Sequence, residues 1–226
     1  MLSRVANSAY WMSRYACRVE NMARFFSVFS NMSLEETDTT DNIWEFLLHS
    51  MGNIDSFSAK YSTHPISQND VLFFLAFDLD NPNSMLSCLG YIKDNAKQIR
   101  EKISSEMWLS MNDLYLYVSN LAQQNSFSIK DFEFIRDKCL LYYCLLDSSI
   151  TRKELWRFAK SGLCLEQADI SARLLQAIFL KSNSNTDNPT QTKYWLTLLR
   201  SLDAYESYRE DYMDINQQNS INYLLL

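Results

Sequence analysis

Apolar side chains recur at three- and four-residue intervals along nearly all of this 226-residue chain, and strand-like alternation is scarce. A pattern that continuous commits the chain to helices. Three glycines and three prolines leave few places for tight turns. Phosphate-cradling Gly-rich loops, doubly wound sheets and collagen-like or linker segments are therefore poor fits. The expected fold class is all-α, a single helical bundle of about seven to nine helices occupying residues 1–226 as one domain.

Local signals place the elements. A first long helix is expected from Asn7 or Ser8 to about Phe29, and a second, capped by Thr40 or Asp41, through His49, with Gly52 ending it. The segment around Pro65 reads as irregular, and Asp70 opens a short apolar helix. Asn81-Pro82-Asn83-Ser84 is a turn-and-cap signal. Helical patterning then runs to about Gln123, with a break near Ile103-Ser104-Ser105-Glu106. Ser128 starts the next helix, and Thr151 with Glu154 has capping-box spacing for one reaching Lys181. Ser182 to Gln191 reads as a loop, followed by one helix from Thr192 to Met213 and a short terminal segment.

Composition narrows the function. With 21 basic and 27 acidic residues the net charge is -6, which argues against nucleic acid, whose binding rests on neutralised phosphates. The longest apolar run, Val71 to Phe77, is too short to span a bilayer. No secretory leader pattern opens the chain, so a soluble, cytoplasmic protein is expected. Five cysteines without a C-x-x-C pair indicate neither a disulfide framework nor zinc. His49 and His64 are the only histidines, and Glu45 with His49 lacks the paired Glu-x-x-His of di-iron bundles. No metal, cofactor or catalytic residue is assigned.

A weak internal repeat marks two helices. Aligning Ala23-Arg24 with Ala172-Arg173 sets Glu20 over Asp169, Cys17 over Glu166, Arg18 over Gln167 and Ser13 over Gly162. An acid four residues before each of these arginines supports a duplicated motif helix. At 100° per residue, Glu166, Asp169 and Arg173 fall within about 60° of one helix face. Gly162 shares that face, where it allows another backbone close. The expectation is that Glu20, Arg24, Glu166, Asp169 and Arg173 form a shared, buried charged cluster. Such a cluster is costly unless every charge is paired.

These residues sit within blocks that resemble the alpha-E domain family of bacterial proteins. Met1-Leu2-Ser3-Arg4, Tyr10-Trp11, Ser13-Arg14-Tyr15 and Cys17-Arg18-Val19-Glu20-Asn21-Met22-Ala23-Arg24 carry the first part of the likeness. Asn81-Pro82-Asn83-Ser84, Ser105-Glu106-Met107-Trp108, Leu165-Glu166-Gln167-Ala168-Asp169 and Ala172-Arg173-Leu174-Leu175 carry the rest, over essentially the whole chain. The family is helical and named for a recurring Glu-Arg motif. Its genes accompany, or are fused to, ATP-grasp-type ligases, transglutaminase-like peptidases and proteasome-like hydrolases. The resemblance therefore implies synthesis or processing of a peptide or amide-linked product. Both motifs depart from the pattern, as Cys17-Arg18 and Glu166-Gln167. Each keeps one half, the losses are complementary in charge, and Arg18 and Glu166 are left to pair across the helices.

The favoured expectation is an accessory or scaffold protein partnering an ATP-grasp-type ligase. Its central polar site would comprise Arg14, Arg18, Glu20, Arg24, Glu106, Glu166, Asp169 and Arg173. One alternative is an enzyme acting on peptide or amide bonds with Glu106 or Glu166 as acid or base. Another is a homo-oligomeric assembly module using the aromatic C-terminal helix. Losing half of each Glu-Arg motif weighs against the enzyme.

Overall fold

The computed structural model describes residues 2–35, 43–61, 66–124, 126–184 and 188–225. Thr40 and Asp41, expected to cap the second helix, and His64 and Pro65 lie outside the described residues. Eleven helices and no strand occur among those described. The class is as expected, but the count exceeds seven to nine. The excess comes from short helices that periodicity over long windows does not resolve.

The chain forms two compact units, each assembled from two stretches: Met1–Ser27 with Lys60–Ala168, and Val28–Ala59 with Asp169–Leu226. Two long helices, α1 (Ser3–Glu35) and α8 (Glu154–Ser184), contribute to both.

In the first unit α4 (Gln68–Ala76), α5 (Met85–Gln98), α6 (Ser105–Gln124) and α7 (Ile129–Ser149) pack successively on one another. Serines set their starts by offering a side-chain oxygen to an otherwise orphaned amide. Ser67 accepts from the Asp70 amide (3.2 Å), Ser84 from Ser87 (3.2 Å) and Ser104 from Met107 (3.1 Å). The Ser104 cap is the break expected near Ile103–Glu106. Helix α8 begins at Glu154 itself, so Thr151 does not stand at its N-cap. Residues 151–153 make a turn closed by Lys153 N–H to the Thr151 carbonyl at 2.6 Å, and the helix starts three residues later.

The first half of α1 is the axis of this unit's core. Met12, Ala16, Cys17, Val19, Met22, Ala23 and Phe26 are all buried. A chain of rings, Phe26–Phe132–Phe127–Phe77, continues the core at centroid separations of 4.8, 5.8 and 5.2 Å. Across residues 8–19 the side chains less than fully buried are Tyr10, Trp11, Arg14, Tyr15 and Arg18. Their four-residue spacing makes them a single stripe. It is the one face of this stretch that meets solvent.

At the start of α7, Asp131 closes a capping box with Ser128 and accepts from Tyr117 Oη. Burial pushes this carboxyl up, but the Tyr117 and Ser128 bonds outweigh it and hold it below its ordinary value. A depressed folded-state value adds stability above the unfolded value, and that stability disappears as pH falls through the folded one. Asp131→Asn should therefore be less stable than the parent near neutral pH by about 1 kcal/mol. The gap should close on acidification below about pH 4. Urea melts at neutral and acid pH measure it, and a gap that stays constant would refute the assignment.

In the second unit α2 (Ile43–Ser50) ends at Gly52, whose φ of 67° is left-handed. The Gly52 amide reaches the His49 carbonyl and the Asn53 amide the Leu48 carbonyl, the double closure of a Schellman cap. Next comes α3 (Ile54–Lys60), where irregular chain was expected. Phe57 is its one buried side chain, too little to register as a period. The single helix expected from Thr192 to Met213 is two, α9 (Asn188–Ser201) and α10 (Tyr205–Asp211). Asp203, at φ 57°, makes the same closure between them, Asp203 N–H to Arg200 and Ala204 N–H to Leu199. Helix α11 (Gln217–Leu225) packs on α9, and Tyr223 donates to Ser207 at 2.6 Å, so this helix docks within its own unit.

Candidate functional site

Gly162 on α8 brings that helix hard against α1. A Cβ there would lie 2.2 Å from the Tyr10 carbonyl oxygen and 3.0 Å from its carbon, so only glycine permits the approach. One turn further on, the register sets Glu166 beside Arg14 and Arg18. Arg14 Nε donates to Glu166 Oε2 at 2.6 Å and Arg18 Nε to Oε1 at 2.7 Å. Glu166 is 1 % exposed and both its oxygens are engaged. The retained halves of the two motifs thus combine into one Glu–Arg contact between helices.

Each guanidinium is held from a second side. Arg18 Nη1 donates to Asn83 Oδ1 at 2.7 Å, and Asn83 is itself fixed by its amide bonding to Asn81 Oδ1 at 3.0 Å. Arg14 lies over the Trp11 and Tyr10 rings, and Arg18 over Tyr15. Burial pulls both guanidiniums down, while the Glu166 bond and charge push them up, with a net rise for each.

The other expected site residues divide. Glu20 is buried and pairs with Arg24 one turn along α1, Arg24 Nη2 to Oε1 at 2.5 Å. Asp169 and Arg173 make the equivalent pair on α8 at 3.1 Å, so the aligned repeat positions carry the same local contact. That second pair belongs to the other unit and is not buried as expected, its side chains being 38 % and 54 % exposed. The Arg173 guanidinium lies over Gly52. Glu106 stands exposed in the first turn of α6, where the positive helix end favours a carboxylate, and forms no ion pair with Arg14 or Arg18.

Cys17, which the resemblance aligns with the glutamate of the motif, is buried beside Asn21. Burial first, then the charges of Glu20 and Glu166, push its thiol up to about 12. Burial also pushes Cys88 up to about 12 and raises Cys139. Cys144 and Cys164 are exposed. Maleimide labelling of the native protein should accordingly modify Cys144 and Cys164 quickly and the other three only on unfolding. Fast labelling of Cys17 would contradict its placement.

Sequence reasoning missed three partners. Asn83 reads only as turn chemistry until Arg18 is seen to reach it. Tyr142, wholly buried, bonds Ser13 at 2.6 Å with no motif to signal it. The ring series Trp11–Tyr15–Tyr91, with centroids 5.5 and 5.1 Å apart, flanks the arginines, and the i,i+4 spacing of Trp11 and Tyr15 was its available signal. Among the described residues no group of three His, Cys, Asp or Glu side chains is placed to hold a metal ion, and no helix is long and apolar enough to cross a membrane.

No curated protein and no solved structure matches the chain. A family model does match, over residues 1–226, and is described as a predicted alpha-helical domain with a conserved ER motif. The match covers the whole chain, and the chain belongs to the Alpha-E family.

Proposed function

We propose that this protein is a noncatalytic accessory or scaffold of a system that makes or processes peptide or amide bonds, and that its partner is an ATP-grasp-type ligase. The observation that carries the noncatalytic half is the state of Glu166. A general acid or base needs a free oxygen within reach of substrate. Both Glu166 oxygens are instead committed to Arg14 and Arg18, and the side chain is buried. Glu106, the other candidate acid or base, stands exposed in the first turn of α6, and none of the described ion pairs includes it. The partnership rests on the company kept by genes of this family. It fits a helical surface that presents large apolar side chains, Phe158 and Leu165 on α8 among them.

Affinity purification of the tagged chain from its own host, followed by mass spectrometry, tests the reading. The expected result is co-purification of an ATP-grasp-type ligase, reduced by a Phe158→Asp/Leu165→Asp variant that retains the parental circular dichroism. Recovery of the chain alone, together with amide-bond turnover by the purified protein, would overturn it.

A further inference from the structure

We propose that Arg14 and Arg18 form a preorganised oxyanion site. Its ligand is a carboxylate or phosphoryl group on a small molecule whose apolar part lies on the Trp11, Tyr15 and Tyr91 rings. The inference rests on reading this seam as a binding rather than a catalytic site, but it does not require the ligase partnership.

Four features point the same way. First, the two guanidiniums share one carboxylate, so the seam keeps an excess of one positive charge. Second, each arginine meets Glu166 through Nε, and Arg14 Nη2 has no hydrogen-bond partner among the described residues. Their side chains are 16 % and 20 % exposed, enough to meet a ligand yet shielded enough for its charge to be felt. Third, both are immobilised before any ligand arrives, by Glu166 beneath, by rings alongside and by Asn83 at Arg18. Ordering a free arginine would otherwise cost rotamer entropy on binding. Fourth, Asn83 immediately precedes the cap of α5, whose first turn carries no acidic residue, so the positive end of that helix adds to the field.

The ring series sets the shape of the ligand. Trp11, Tyr15 and Tyr91 make a continuous aromatic surface beside the arginines, and Tyr91 is 38 % exposed. Planar guanidiniums next to such a surface suit an oxyanion carried close to an apolar or flat group. A bare ion would use only the charge.

Three probes separate the sources: N-acetyl-phenylalanine, its uncharged amide, and phenyl phosphate. Each is titrated into the purified full-length chain to about 10 mM, and the Arg Nε–H signals are followed by NMR. The expected result is saturable movement of the Arg14 and Arg18 signals with an anionic probe and none with the amide. Movement with N-acetyl-phenylalanine assigns a carboxylate ligand, and movement with phenyl phosphate alone a phosphoryl one. Arg18→Lys keeps the charge but loses the fork, and should weaken binding roughly tenfold, whereas Lys130→Gln, at an exposed position at the start of α7, should leave it unchanged. Absence of saturable shifts with either anion, or binding indifferent to Arg18→Lys in a folded variant, would overturn the site. Because the ligase is absent from this experiment, such a failure would leave the partnership to its own test.

Discussion

Gly162→Ala will destabilise the protein by about 3 kcal/mol, although alanine is the better helix former by about 1 kcal/mol. The added Cβ would fall 2.2 Å from the Tyr10 carbonyl oxygen, and that atom is backbone within α1 and cannot turn aside as a flexible side chain could. The helices must separate, which carries the overpacking cost of typically 1–3 kcal/mol or more. Separation also draws Glu166 away from Arg14 and Arg18, one and two turns along. Steric and ionic losses together exceed the propensity gain. Gly90→Ala is the internal control: its nearest neighbour would be Tyr115 at an ordinary 3.9 Å. The same substitution there should stabilise α5 by about 0.5–1 kcal/mol. For a chain of this length, Gly162→Ala should lower Tm by roughly 6–12 °C, and Gly90→Ala should raise it slightly. Equal melting temperatures for the two variants would refute the close contact.

That contact shows how far a single sequence reaches. Periodicity and caps located the long helices, because Ser84 and Ser128 bond their own first turns and need no tertiary partner. Asp203 was not legible. Its left-handed cap is usually a glycine's, and an aspartate in that conformation leaves the apolar pattern on both sides running on. The Arg18–Glu166 contact could be foreseen because each motif had lost the opposite half. Burial of Asp169 and Arg173 could not be judged in the same way. A helical wheel shows which residues share a face but not what covers it. Along α8, about 46 Å long at 31 residues, Gly162 and Glu166 face α1 within one unit, while Asp169 onward belongs to the other. The half-exposed Asp169–Arg173 pair is the consequence.

Glu166→Gln should cost about 2–3 kcal/mol, and the reason separates a structural carboxylate from a catalytic one. Each oxygen now accepts from an arginine Nε. The amide replaces one acceptor by an NH2 donor, which then faces a guanidinium donor, and it removes the negative charge between two positive ones. Breaking a fully buried pair costs 3–5 kcal/mol. The arginines here keep some exposure, so water recovers part of that loss and the lower figure applies. Arg173→Ala, which breaks an exposed pair, should cost less than about 0.5 kcal/mol. Chemical denaturation of both variants at low and high salt measures the difference, and the Glu166 effect should persist where exposed pairs are screened. An acid or base poised for amide chemistry would behave in the opposite way. Its amide variant would keep the parental stability, relieved of a buried charge, and lose turnover alone. A stable Glu166→Gln protein that had lost an amide-bond activity would therefore move the assignment from scaffold to enzyme, and would do so at the residue on which the noncatalytic reading stands.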